Sequence, residues 1–216
     1  MESTTSRNLK NKLDYLVVEM TGMIKADIYE NIIVNTVKDW FEGSESILEL
    51  NNRIKTNVNS RWPFVEMKVK NRLSEFEEYS KSILDHSISS GSNELNVKEI
   101  SNSVSQGISV AVGAIGTSFI AMISGGAGTA MLATGPVGII MGIIIGAFAW
   151  FLGKDELERN ISEYIADKNI PKLIKKAAKG KVSTQLKLNE SKFEQDVFNS
   201  LKAHLEPVYR AVSNAG

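Results

Sequence analysis

Few residues in this sequence have the types and spacing that enzyme chemistry requires. The segment Gly180–Ser183 (GKVS) resembles the end of a phosphate-binding loop, but it lacks the leading glycine and an upstream strand. The histidines His86 and His204 are far apart and show no metal-ligand spacing, so we expect both at the surface. The acidic cluster Glu75–Glu78 is more typical of a solvated helix face than of an acid–base pair. We therefore expect no enzyme, with no catalytic residue, cofactor or metal site.

The composition excludes several further classes of protein. The 216 residues include 25 Lys and Arg, 25 Asp and Glu and no cysteine, and the formal net charge is zero. The lack of cysteine excludes a disulfide scaffold, a thiolate zinc site and a cysteine nucleophile. Nucleic-acid-binding domains usually carry a basic excess, so we expect no nucleic-acid partner. Residues 1–20 show no secretory signal, which favours a cytoplasmic protein that is peripheral or integral to the cytoplasmic membrane.

The charges are distributed unevenly along the chain. From Ile100 to Gly153, 54 consecutive residues include no Asp, Glu, Lys or Arg, and 11 of the 16 glycines lie in Gly107–Gly153. Two apolar runs, Gly107–Ser124 and Val137–Leu152, flank the turn-rich segment Gly125–Pro136. This pattern predicts a Gly-rich hydrophobic helical hairpin over residues 107–153.

The predicted hairpin points to a membrane, although its arms are short. Arms of these lengths make helices of roughly 27 and 24 Å, whereas the hydrocarbon core of a bilayer is about 30 Å thick. Three placements remain open: two membrane spans, a hairpin that dips into one leaflet, and a hairpin buried in the protein. The residues predicted to insert are Ile115, Phe119, Ile120, Ile139, Ile140, Ile143, Ile144, Phe148, Trp150 and Phe151.

Small residues at four-residue spacing form one stripe on each arm, which predicts close packing of the two arms. These hairpin-packing residues are Gly113, Thr117, Ala121, Gly138, Gly142 and Gly146. Trp150 ends the second arm and Lys154 follows it closely. This order is typical of an aromatic residue at the membrane interface with a cation that reaches the headgroups.

A lysine-rich segment follows the predicted hairpin. Lys168–Lys187 contains seven lysines and no acidic residue. Such a segment fits a solvated helix face, and it also fits a site for anionic headgroups, where each basic residue contributes about 1 kcal/mol. The predicted headgroup contacts are Lys168, Lys172, Lys175, Lys176, Lys179 and Lys181.

The rest of the chain has apolar residues at helical spacing and no convincing run of period-two alternation. The predicted fold class is therefore all-α, a bundle of long amphipathic helices with the internal hydrophobic hairpin. One helix is predicted over Arg7–Trp40, with Ile32 on its buried face and Gly43 as its end. A second helix is predicted after an N-cap at Ser44, and Pro63 should bend or restart it.

After Pro63, the predicted buried face includes Phe64 and Met67. The segment Ser89–Ser92 is the clearest linker in the chain. It divides the predicted domains into amphipathic helices at 1–92 and the hairpin with its charged return helices at 93–216.

The order of hairpin and return helix resembles the helical region of bacterial dynamin-like proteins. The resemblance is carried by Gly107–Gly153, above all by Ala133–Gly153, and by the charged return Lys154–Lys176. It implies that the hairpin is a membrane-binding paddle, that residues 1–92 resemble trunk helices, and that the chain self-associates. The GTPase domain of that family has no counterpart in this sequence. The resemblance therefore implies one of two arrangements: the sequence is a fragment of a longer chain, or it is a stand-alone helical protein with a separate dynamin-like GTPase as partner.

These observations together predict a helical protein that binds an anionic lipid membrane and remodels it, without nucleotide chemistry of its own. Two alternatives remain. One is a pore-forming toxin or effector with a colicin-like hydrophobic hairpin, for which the size of the chain is suitable. The other is a soluble interaction protein whose hairpin docks permanently into a partner chain.

Overall fold

The computed structural model describes residues 4–89, 94–124 and 172–213, and in the second arm positions 138, 141–142, 144–146, 149–150 and 153. These residues are nearly all helical and include no strand, which confirms the all-α fold class. The helices are α1 (Thr4–Ile24), a π-helix (Lys25–Val34), α2 (Asn35–Glu42), α3 (Ile47–Ser89), α4 (Glu94–Ser124), α5 (Lys172–His204) and α6 (Glu206–Ser213). The predicted domain boundary and the turn of the predicted hairpin lie outside the described residues, and both stay predictions.

The first helical stretch runs without interruption from α1 through the π-helix to α2, which confirms the helix predicted over Arg7–Trp40. Gly43 ends it, and its backbone N–H donates to the carbonyl oxygens of Asp39 at 3.1 Å and Trp40 at 3.3 Å. The predicted stop at Gly43 is therefore confirmed.

The π-helix shifts the buried face by one residue. A π-helix bonds residue i to residue i+5, so one face recurs after five residues rather than four. Ile28 and Ile33 are accordingly fully buried, whereas Ile32 is only partly buried. The prediction for Ile32 assumed α-helical spacing and is wrong for that reason.

Helix α3 begins with a reciprocal capping arrangement rather than at the predicted cap, Ser44. The backbone N–H of Glu49 donates to Ser46 Oγ at 3.2 Å, and the backbone N–H of Ser46 donates to Glu49 Oε2 at 2.9 Å. A serine followed three residues later by glutamate satisfies two N–H groups that the first turn leaves unpaired. The N-cap is therefore Ser46.

Pro63 lies inside α3 and does not restart the helix. Pro63 and Asn59 are both exposed, so water can reach the Asn59 carbonyl that the proline leaves without a donor. The helical register continues, and this continuation exposes Phe64 and Met67. The residues that lie on the buried face of α3 instead are Val58, Trp62, Val65, Val69, Leu73, Phe76 and Leu84.

The chain forms two compact units, and each is built from segments that lie far apart in the sequence. One unit comprises Met1–Ile24, Pro63–Ser118 and Gln195–Gly216, and the second comprises Lys25–Trp62 and Phe119–Glu194. Buried residues of the first unit include Leu13, Val17, Leu73, Phe76, Val104, Ile108, Val197 and Leu201. Those of the second unit include Ile28, Tyr29, Trp40, Ile54, Met141, Ile144, Val182 and Phe193.

In the first unit, α4 and α6 approach each other closely at Gly107. A Cβ atom at Gly107 would lie 2.9 Å from Val208 Cγ2 and 3.2 Å from the backbone nitrogen of Val208. Val208 is β-branched, and a stiff side chain of this type has little freedom to move away. The absence of a side chain at Gly107 therefore permits this helix contact.

We expect Gly107→Ala to lower the free energy of unfolding by about 1–2 kcal/mol, because overpacking against Val208 outweighs the better helix propensity of alanine. Gly113 provides the matched control, since it lies in the same helix and a Cβ atom there would meet open space. Gly113→Ala should raise the free energy of unfolding by about 0.5–1 kcal/mol. Urea unfolding measures both, and equal stabilisation by the two variants would contradict the close contact.

Candidate membrane-contact site

Helix α5 carries the lysine-rich segment, and the π-helix holds it in place in the second unit. The Tyr29 hydroxyl donates to the Leu186 carbonyl oxygen at 2.5 Å, and the Tyr29 and Phe193 ring centroids lie 5.2 Å apart. Lys25 pairs with Glu190 at 3.1 Å and with Glu194 at 3.2 Å. These contacts fix the rotation of α5 and therefore decide which of its lysines face the protein.

Lys175 faces the protein and is only 4% exposed. Its Nζ donates to the carbonyl oxygens of Trp40, Gly43 and Glu45 at 3.1, 3.0 and 3.3 Å, and it lies 4.2 Å from the centroid of the Trp40 ring. These carbonyls lie at or just beyond the C-terminal end of α2, where helical hydrogen bonds end and the helix dipole is negative. Burial lowers the pKa of Lys175, and the charge of Glu45 opposes this shift.

The prediction that Lys175 contacts headgroups therefore needs correction. An ammonium group has three donors, and three carbonyl oxygens surround the one on Lys175. In this conformation Lys175 joins α5 to the α2–α3 connection and does not face solvent.

The other described lysines of the segment remain at the surface. Lys176, Lys179 and Lys181 are exposed. Lys179 pairs with the Glu42 carboxylate at 2.5 Å, and this ammonium lowers the pKa of Glu42. Lys168 and the side chain of Lys172 lie outside the described residues, and their predicted headgroup contacts stay predictions.

Trp150 and Lys181 lie in direct contact. Trp150 is 71% exposed, and Lys181 Nζ lies 3.6 Å from the centroid of its ring. An ammonium at this distance interacts with the ring quadrupole, and an exposed pair of this kind contributes about 0.5–1 kcal/mol. The structure thus pairs two residues that the sequence suggested separately, one as an interfacial aromatic residue and the other as a headgroup contact. Lys154, the expected neighbour of Trp150, lies outside the described residues.

Leu188 is a surface residue that the sequence interpretation missed. It is 61% exposed and follows Lys181 by seven residues, so both lie on the same face of α5. The signal was present in the sequence as an apolar residue two turns after a lysine. We call the surface formed by these residues the contact surface, and it consists of Trp150, Lys181 and Leu188.

Only some of the residues predicted to insert into a membrane are described. Ile115 and Ile144 are buried in this conformation, whereas Trp150 is exposed. Burial agrees with one of the three open placements of the hairpin, the one in which the protein shelters it. The side chains of the remaining residues lie outside those described, so their insertion stays a prediction. These residues are Phe119, Ile120, Ile139, Ile140, Ile143, Phe148 and Phe151.

Three glycines of the two predicted stripes lie at the surface. Gly113, Gly142 and Gly146 are exposed, and a Cβ atom at any of them would meet open space. The packing of the two arms against each other stays a prediction. Gly138 is buried, and the side chains of Thr117 and Ala121 lie outside those described.

The residues first considered for catalysis have ordinary structural surroundings. Gly180–Ser183 lies within α5 rather than in a loop before a helix. Glu75 pairs with Arg72 at 2.7 Å, and Glu77 accepts hydrogen bonds from Lys81 and Ser105, each at 2.7 Å. His204 Nδ1 lies 2.6 Å from the carbonyl oxygen of Ser200, one turn earlier in the helix. Among the described residues, no group of three His, Asp or Glu side chains is placed to hold a metal ion.

Among the helices that the structure describes, none combines the length and the apolar character needed to cross a membrane. In comparisons with known proteins, no family, no curated protein and no solved structure matches this chain.

Proposed function

We propose that this chain is a helical protein that binds anionic lipid membranes through the contact surface of Trp150, Lys181 and Leu188. The observation that supports this most is the exposed Trp150 ring with the Lys181 ammonium 3.6 Å from its centroid. Trp150 lies near the end of the 54-residue segment that has no charged residue. An indole at the surface beside an exposed cation is the combination that membrane interfaces favour.

Replacing the contact between Trp150 and Lys181 by contacts with lipid is favourable in free energy. The indole ring is rigid and apolar, so moving it from water into the interface gains free energy in proportion to the apolar area removed from water. Lys181 and the exposed Lys176 each gain about 1 kcal/mol near an anionic surface. Leu188 adds apolar area on the same face of α5 as Lys181.

The resemblance to bacterial dynamin-like proteins extends this proposal. The segment 107–153 would enter the membrane as a paddle after the contact surface binds, and self-association of the chain would then remodel the bilayer. The chain would have no nucleotide chemistry of its own, and a separate GTPase would supply the driving force.

Vesicle flotation tests the proposal. We expect the protein to float with vesicles of equal parts phosphatidylcholine and phosphatidylserine, and much less with phosphatidylcholine alone. Trp150→Ser should lower the partition coefficient roughly tenfold, which corresponds to about 1.4 kcal/mol of lost apolar transfer.

Phe64→Ser is the matched control for this experiment. Phe64 is also an exposed aromatic residue with a lysine close to its ring, because Lys68 Nζ lies 4.7 Å from the ring centroid. We expect its replacement to leave vesicle binding almost unchanged. A protein that stays at the bottom of the gradient with anionic vesicles, or equal losses for the two variants, would contradict the proposed site.

A pore-forming protein is the second candidate, and one observation favours it. Met141 and Ile144 of the second arm are buried, as they would be in a sheltered hairpin. Dye release from anionic vesicles separates the two candidates. Rapid leakage at low protein concentration supports a pore, whereas binding without leakage supports the membrane-binding proposal.

A further inference from the structure

Three of the lysines of α5 that were predicted to contact headgroups have partners within the protein itself. In the second unit Lys175 contacts carbonyl oxygens, Lys179 pairs with Glu42, and Lys181 lies on the Trp150 ring. Two of these three partners, Glu42 and Trp150, are exposed. The contact of Lys179 with Glu42 and that of Lys181 with Trp150 can therefore be replaced by contacts with another anion without opening the core.

The Glu42–Lys179 ion pair differs from the Lys175 contacts in its exposure. The side chains of Glu42 and Lys179 are 74% and 49% exposed, whereas Lys175 is buried. Exposed ion pairs contribute little to stability, because water solvates both partners almost as well when they are apart. This pair is thus not needed to hold the fold, and its lysine is available to a competing anion.

Glu42 occupies the place that a lipid anion would take. It is the last residue of α2, and Lys179 lies one turn after Lys175 on α5. A carboxylate and a phosphodiester each offer the lysine an anionic oxygen acceptor. Near an anionic membrane, Glu42 reduces binding in two ways, since it neutralises Lys179 and is itself repelled by the lipid charge.

We propose that Glu42 restrains membrane binding by holding Lys179 in the free protein, and that anionic headgroups displace it. This inference depends on the proposed membrane function and names the regulation of the same site. Binding would then weaken for neutral membranes, which cannot compete for Lys179, and strengthen where the anionic lipid density is high.

The test compares Glu42→Gln with Asp39→Asn in flotation with vesicles of equal parts phosphatidylcholine and phosphatidylserine. Asp39 is an exposed residue of the same helix, so both variants remove one negative charge from α2, but only one removes the partner of Lys179. We expect Glu42→Gln to raise the partition coefficient about fivefold, as expected for one additional available lysine. Asp39→Asn should give less than half of that increase.

Repeating the comparison in a Lys179→Gln background isolates the pair. There, Glu42→Gln should lose its advantage over Asp39→Asn. Equal increases for the two variants, or an advantage that survives Lys179→Gln, would overturn the role of Glu42. Since both positions are exposed, far-UV circular dichroism and thermal melting should show a fold unchanged from the original protein.

The outcomes distinguish this inference from the proposed function. If the original protein binds anionic vesicles and the two variants behave alike, the role of Glu42 is refuted and membrane binding stands. If neither the original protein nor Glu42→Gln binds, membrane binding itself is refuted and the inference falls with it. Binding that appears only in Glu42→Gln would support complete inhibition by Glu42.

Discussion

Replacing Lys175 with methionine is expected to lower the free energy of unfolding by about 2 kcal/mol, since the carbonyl oxygens around this buried ammonium would lose their charged donor. The three carbonyl oxygens of Trp40, Gly43 and Glu45 lie within 3.3 Å of Lys175 Nζ. Methionine retains the aliphatic stem beside the Trp40 ring, so the lost hydrogen bonds dominate the change. Urea unfolding followed by circular dichroism measures it.

Lys176→Met is the matched control for this prediction. Lys176 is the next residue of the same helix, and it is exposed. The same chemical change at this position should alter the free energy of unfolding by less than about 0.5 kcal/mol. Equal losses for Lys175→Met and Lys176→Met would show that the carbonyl contacts do not stabilise the protein.

Replacing Arg61 with methionine is expected to lower the free energy of unfolding by about 2 kcal/mol, because the buried Asp27 carboxylate would lose its ion pair with Arg61. Arg61 Nη2 lies 2.6 Å from Asp27 Oδ1, and only 8% of the Asp27 side chain is exposed. The loss should be smaller than for a fully buried pair, since 40% of the Arg61 side chain is exposed and solvent screens its charge.

Arg72→Met tests whether burial of the carboxylate decides this cost. The Arg72 side chain is 41% exposed, almost the same as Arg61, but its partners Glu19 and Glu75 are considerably more exposed than Asp27. We expect a much smaller loss for Arg72→Met. In addition, Asp27→Asn should recover part of the stability lost in Arg61→Met, and no recovery would contradict the buried charge of Asp27 as the cause.

Much of the helical architecture follows from the spacing of apolar residues. The residues whose burial was predicted wrongly have local physical causes for it. The buried face of α1 was predicted because its buried residues, which include Leu9, Leu13 and Val17, keep a helical period. Ile32 was misplaced because the π-helix advances the face by five residues, and nothing in the composition of Lys25–Val34 indicates this. Phe64 was misplaced because Pro63 was expected to bend or restart the helix, although its exposed position lets the helix continue.

Two of the three residues of the contact surface were predicted from the sequence, but the contact between them was not. Trp150 and Lys181 stood out by residue type, but their contact joins residues that lie 31 positions apart, which spacing alone cannot reveal. The burial of Lys175 could not be predicted either, because residue type does not distinguish one lysine of the segment from another. Only the rotation of α5, which Tyr29 and Lys25 fix, decides that Lys175 faces the protein while Lys176 faces solvent.

Tryptophan fluorescence tests membrane contact at Trp150 most directly. Trp40 and Trp62 are buried, so iodide in solution should quench Trp150 selectively in the free protein. On addition of vesicles of equal parts phosphatidylcholine and phosphatidylserine, we expect iodide quenching to disappear and brominated lipid to quench instead, with neither change in Trp150→Phe. Iodide quenching that persists unchanged at saturating vesicle concentration would contradict membrane binding through Trp150.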